Sequence, residues 1–139
     1  VAICAEAMGV ESFQKMDVEL PAVASGGPRT IGVRVGVAWA GPLQIELIQP
    51  VSGFIEPYVD LLPADPNDVV PRLHHLAVRR DSIVQMRAEA ERMRAPVVFE
   101  TGGNGITSLF VDARTTLGHY LEMVSATPEG WAMLGWPST

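Results

Sequence analysis

Leu73-His74-His75-Leu76-Ala77-Val78-Arg79 opens the half of the chain that decides the fold. The run is apolar apart from two imidazoles and a terminal cation, and it reads as a strand over 73–79. Asp81 or Ser82 can then cap a helix that runs to about Arg94, with Ile83, Met86, Ala90 and Met93 along one side. Pro96 to Glu100 reads as a strand, Thr101-Gly102-Gly103-Asn104-Gly105 as a turn and Ile106 to Val111 as a strand. Thr115-Thr116-Leu117-Gly118 turns the chain again, and His119 to Val124 is the last strand. The order is β-α-β-β-β.

Working outward, the first half spells the same order without its opening strand. Residues 1–9 read as the end of a helix stopped by Gly9. Phe13 to Leu20 alternates as a strand, and Ser25-Gly26-Gly27-Pro28 is a turn. Thr30 to Trp39 places Ile31, Val33, Val35, Val37 and Trp39 on one face. Ala40-Gly41-Pro42 turns into a strand from Leu43 to Ile48, ended by Pro50, so the pair reads as a hairpin. A short helix is expected over 54–62, and the Pro- and Asp-rich stretch 63–71 reads as a connection. The restart implies a repeat of roughly 60–65 residues, each unit too small to close a core alone. The expected organisation is therefore a truncated βαβββ module over 1–52, a linker over 53–69, a second βαβββ module over 70–125, and a tail over 126–139. The missing first strand is expected upstream of Val1. Trp131 and Trp136 in the tail are expected to pack, at a place the sequence does not give.

Composition bounds the class. The 139 residues make one ordinary domain, able to bury roughly 68% of its unfolded surface without disulfides. Apolar residues are 47% and charged residues 19%, a globular rather than a disordered balance. The net charge is −6 and no basic run exceeds Arg79-Arg80, which argues against nucleic acid as a partner. One cysteine, Cys4, excludes an internal disulfide and suits a reducing compartment, so a cytoplasmic location is expected. No apolar run has the length of a membrane span, and no membrane partner is expected. A small-molecule substrate is the expected partner, with room for a homodimer.

Metal-competent side chains interrupt three strand-like runs: Leu43-Gln44-Ile45-Glu46-Leu47, the stretch from Leu73 to Val78, and Tyr120-Leu121-Glu122-Met123-Val124. A carboxylate or imidazole inside such a run is costly to bury unless something compensates it. A shared divalent metal would compensate all three at once. Strand alternation puts His75, Ala77 and Arg79 on one face, and Tyr120, Glu122 and Val124 on one face. It sends His74 and His119 the other way.

IELIQP (Ile45 to Pro50), LHHLAV (Leu73 to Val78) and FVDARTTLGHYLEMV (Phe110 to Val124) together resemble the vicinal oxygen chelate superfamily, the glyoxalase / bleomycin-resistance / extradiol-dioxygenase family. The resemblance covers about residues 1–125 and lies nearest to glyoxalase- or methylmalonyl-CoA-epimerase-like members. It implies an α+β fold of paired βαβββ modules with a curled mixed sheet around a metal site. It implies Glu46, His75 and Glu122 as ligands, with Glu122 and Glu46 also moving protons. A fourth ligand, a His on the first strand, has no counterpart here. The ion would be Zn, Ni, Co, Mn, Fe or Mg, since carboxylates with imidazole suit all of them.

The implied chemistry is that of an isomerase, epimerase or lyase. A metal-bound carbonyl loses an α-proton to a carboxylate and passes through an enediolate, on a small oxygenated carbonyl compound or thioester. Two other classes compete. An extradiol-type Fe(II) dioxygenase would use two His and one Glu, and a fourth ligand at Glu46 argues against it. A non-enzymatic small-molecule-binding protein would keep the fold without the ligands. Plainer readings stand beside other residues. Glu100 is a candidate acid/base or a solvated strand end. Arg79-Arg80 is an anion receiver or a solvated junction. Tyr120 lines the pocket or packs. Met86, Met93 and Cys4 read as core.

Overall fold

The computed structural model describes residues 1–137. Its elements are α1 (Ala2–Met8), β1 (Gln14–Ala24), β2 (Gly27–Ala40), β3 (Leu43–Gly53), α2 (Glu56–Val59), β4 (His75–Arg79), α3 (Ile83–Met93), β5 (Val97–Gly103), β6 (Ile106–Val111), α4 (Arg114–Leu117), β7 (Tyr120–Ala126) and α5 (Pro128–Leu134). The fold is α+β. Seven strands among the described residues hydrogen-bond in the order β3-β2-β1-β5-β6-β7-β4. The sheet is mixed, because β4 runs parallel to β7 while β5, β6 and β7 alternate direction. Two compact units divide the chain: Val1–Glu19 with Thr30–Pro71, and Leu20–Arg29 with the chain from Arg72 onward.

In the first unit β2 and β3 form a long antiparallel hairpin, from Ala40↔Leu43 to Ile31↔Gly53. Ile31, Val33 and Val35 are buried along it, as the alternation requires, while Trp39 near its end is exposed. Pro50 does not end β3, contrary to the reading from sequence. β3 is the last strand in the order, where a proline's missing N–H need not break a ladder. The register also shifts between Gly32 and Val33, beside the Val33↔Pro50 pair, and so absorbs the irregularity. Gly53 closes the strand at φ 77, and a Cβ there would meet the Thr30 carbonyl oxygen. Helix α1 stops at Gly9 in the left-handed region and buries Ala5 against Phe13 and Ala38, with Cys4 packed among them.

In the second unit the order from β4 is strand, helix, strand, strand, strand, with the one-turn α4 before β7. A parallel β4–β7 pair needs a crossover, and α3 lies on it. Met86 and Ala90 of α3 pack on Leu109, Val111, Leu121 and Met123, with Val78, Ile83 and Met93 around them. The Ser82 hydroxyl caps α3 by accepting from Gln85 N–H, and the Gln85 side chain accepts from Asp81 N–H. The β5–β6 turn is tighter than the glycine run suggests. Asn104 and Gly105 both have positive φ, at 52 and 75. That is the two-residue turn of a hairpin, so Thr101-Gly102-Gly103 stays in β5. The tail is a helix where none was read. Thr127 Oγ1 accepts from Gly130 N–H, Pro128 occupies the first turn, and Gly135 ends it at φ 67.

Arg80 fastens β4 to α3. Its Nε and Nη2 each donate to Glu89 at 2.6 Å, while Nη1 donates to the Arg79 carbonyl at 2.8 Å. Those hydrogen bonds hold the Glu89 carboxyl below the usual carboxylate range; burial works against them and the arginine charge adds to them. A depressed carboxylate stabilises the fold above its unfolded pKa and loses that contribution as pH falls through the folded value. Glu89→Gln is therefore expected to cost about 1–2 kcal/mol near neutral pH. The gap to the parent protein should close as pH falls below about 4. Urea unfolding at a series of pH values measures it, and a gap independent of pH would refute the assignment.

Candidate metal centre

The β4–β7 register decides which side chains meet. His75 lies beside Tyr120, Ala77 beside Glu122, and Arg79 beside Val124. Parallel neighbours share a face, so His75, Arg79, Tyr120 and Glu122 stand on one side of the sheet. β6 adds Phe110, opposite Glu122, and β5 adds Phe99, opposite Phe110. The other face carries Leu109, Val111, Leu121 and Met123 under α3. The alternation read from the sequence thus separates the polar face from the helix-covered one.

His75 Nε2 lies 3.4 Å from Glu122 Oε2, and their side chains are only 9% and 17% exposed. The aromatic wall behind them is continuous. Phe110 has its ring 4.9 Å from that of His75 and stacks on Phe99 at 4.5 Å. Tyr120 is buried on the same face, with the Arg114 guanidinium 4.7 Å above its ring. Arg114 is held there by a bidentate pairing with Asp112, whose hydrogen bonds keep that carboxyl below its ordinary range.

His74 is not where alternation would send it. Its Nδ1 lies 2.8 Å from His75 Nδ1, and its ring centroid is 4.9 Å from that of Tyr120. The reason is local: β4 begins at His75, so His74 precedes the pleat that alternation assumes. At 2.8 Å one Nδ1 donates and the other accepts. If His75 donates from Nδ1, its Nε2 lone pair faces the Glu122 carboxylate, and a shared cation would satisfy both. If His75 accepts at Nδ1 instead, its Nε2–H donates to the Glu122 carboxylate and the pair is a plain hydrogen bond or ion pair.

In the first tautomer the pair fits a metal ion. Ligand distances of ~2.0–2.2 Å around a tetrahedral ion put two donor atoms roughly 3.4 Å apart. A ligating imidazole usually engages a partner through its other nitrogen, the place His74 takes. Glu46, the third residue read from the sequence, is exposed on β3 opposite Val37, in the first unit. Among the described residues no group of three or more His, Cys, Asp or Glu side chains could hold a metal ion.

Other candidates resolve by position. Glu100 pairs with Leu109 and so faces the α3 side, where its carboxylate meets Arg87 Nη2 at 2.7 Å. His119 lies just before β7, with Nδ1 2.6 Å from the Tyr120 carbonyl oxygen. Residues 128–136 supply what sequence reading missed. Trp131 and Trp136 stack at 5.3 Å, and the Arg79 guanidinium lies 3.9 Å from the Trp131 ring centroid. Thr127-Pro128-Glu129, a cap followed by a first-turn proline and an acid, was the available signal. No helix of the described residues is long and apolar enough to cross a membrane. No protein-family model matches the sequence, and no curated protein matches it.

Proposed function

We propose that this chain is a divalent-metal-dependent enzyme of the glyoxalase-like kind. It would act as an isomerase, epimerase or lyase by proton transfer beside a carbonyl of a small oxygenated compound or thioester. One observation supports this most: the half-buried His75–Glu122 pair, 3.4 Å apart on parallel strands, with His74 on the far nitrogen of His75. The βαβββ order from His75 to Ala126 agrees with the resemblance carried by LHHLAV and GHYLEMV.

A bound divalent ion would supply Lewis acidity toward the substrate carbonyl. His75 and Glu122 would hold it. The buried Phe110 and Tyr120 beside them keep water away from one side of the pair. Glu122 would take the α-proton on its carboxylate and return it. The resemblance gives Glu46 a third ligand role, and Glu46→Gln tests that role by itself.

The decisive measurement is deuterium uptake from heavy water at the α-carbon during turnover of a substrate panel, with divalent metal added. Exchange that falls to a few per cent in Glu122→Gln is the expected result. Oxygen consumption without exchange would favour the extradiol dioxygenase. Neither signal, with tight binding of an aromatic ligand, would favour a binding protein.

A further inference from the structure

Given His75 and Glu122 as metal ligands, the reading on which this role rests, we propose that Arg114 is a positioning residue for the His74–His75 pair. It acts through the ring of Tyr120. His74 precedes β4, so no pleat fixes its side chain. Ring contacts orient it instead. Its Nδ1 lies 2.8 Å from His75 Nδ1, and its ring centroid lies 4.9 Å from that of Tyr120, with the planes 34° apart. The backbone brings the two rings together, since Tyr120 N–H donates to the His74 carbonyl at 3.0 Å.

Tyr120 is held in turn. It is buried, and the Arg114 guanidinium lies 4.7 Å from its ring centroid. A cation over a tyrosine ring is attracted by the ring quadrupole, more strongly where water is excluded. The guanidinium is not free to swing. Asp112 accepts from its Nε at 2.9 Å and from its Nη2 at 2.6 Å. The same carboxylate accepts from the Arg114 backbone N–H at 3.1 Å. Two parallel bonds fix a plane as well as a distance. That matters because α4 is a single turn of four residues, too short to hold its own geometry.

Charge supports the same role. An unpaired arginine this close would repel a divalent ion at His75 and Glu122. Asp112 cancels the Arg114 charge inside one ion pair, so the clamp grips Tyr120 and adds no net positive charge beside the site. The contacts thus run from Asp112 through Arg114, Tyr120 and His74 to His75. Losing a group that orients a metal ligand costs about 10–100-fold in metal affinity. Arg114 stands further out than His74, so its loss belongs at the lower end of that range.

The test begins on the metal-free full chain. The proton shared by the two Nδ1 atoms is followed by NMR of the ¹⁵N-labelled imidazoles at one pH, with His74→Gln supplying the assignment. Arg114→Met keeps an apolar stem and loses both the cation and the fork. In it that proton is expected to exchange with water at least ~10-fold faster. Asp112→Asn keeps an oxygen for the Arg114 N–H and loses half the fork, so it should act in the same direction by less. The Arg114 side chain is 41% exposed, so replacing it opens no cavity, and amide exchange along α3 and β6 should stay as in the parent. Zinc titration should then show affinity about 10-fold lower in Arg114→Met. An unchanged exchange rate for the shared proton overturns the role. So does faster exchange throughout α3 and β6, or unchanged zinc affinity. A parent chain that binds no zinc overturns the metal reading instead, and the proton exchange alone then decides Arg114.

Discussion

His75→Ala is expected to abolish most of the protein's affinity for a divalent ion, and His74→Ala to lower it by about 10–100-fold. The first effect follows from losing one of two groups placed 3.4 Å apart toward a common point. The second follows from the 2.8 Å contact between the two Nδ1 atoms, which orients the His75 ring. Strand alternation alone assigns His74 to the opposite face, and then His74→Ala would cost little. The contact reverses that expectation. Calorimetric titration with zinc, nickel and manganese measures both, and the metal-induced rise in melting temperature checks them. At a metal concentration a hundred times Kd, binding is worth about 2.7 kcal/mol, and His75→Ala should lose nearly all of it. Full affinity in His75→Ala removes the pair from any metal site. Full affinity in His74→Ala leaves His75 a ligand but makes its neighbour a packing group only.

The difference between legible and illegible features is one of range. Along β4, α3 and β7 the apolar positions follow one period each, and Met86, Ala90, Leu121 and Met123 are buried where that period puts them. His75 and Glu122 were legible for the same reason, since two strands of fixed alternation need only a register to meet. His74 was not, because a strand's first residue is decided by hydrogen bonding with its neighbour, which no periodicity states. Pro50 misled because a proline stops a central strand and not an outer one, and strand order is not written in local sequence. The turn at Asn104-Gly105 was drawn too wide because five consecutive turn-forming residues hide which two take positive φ. Helix α5 went unread because its signals are local ones, the Thr127 cap with Pro128 and Glu129 after it, rather than an apolar period. With it went the contact of Trp131 with Arg79.

Phe110→Ala is expected to lower stability by about 3–5 kcal/mol and to weaken metal binding as well. The stability term is a cavity term. Phe110 is 6% exposed, stacks on Phe99 at 4.5 Å, and Phe99 is itself 1% exposed. Removing the ring deletes its transfer free energy and strips Phe99 of a neighbour on one side. The binding term has a different origin. The same ring stands 4.9 Å from His75 at 69°, so it limits how far the imidazole can rotate away from Glu122. Phe110→Leu separates the two. Leucine refills much of the volume, so stability should fall by less than in Phe110→Ala. It offers no flat edge to the imidazole, so metal affinity should fall in both variants. Urea unfolding followed by circular dichroism gives the first quantity and metal titration the second. If Phe110→Leu recovers stability and metal affinity together, the ring acts by volume alone. If affinity stays low while stability recovers, the aromatic wall positions the ligand. That second outcome is the one expected, because the His75 ring is in contact with both His74 and this ring.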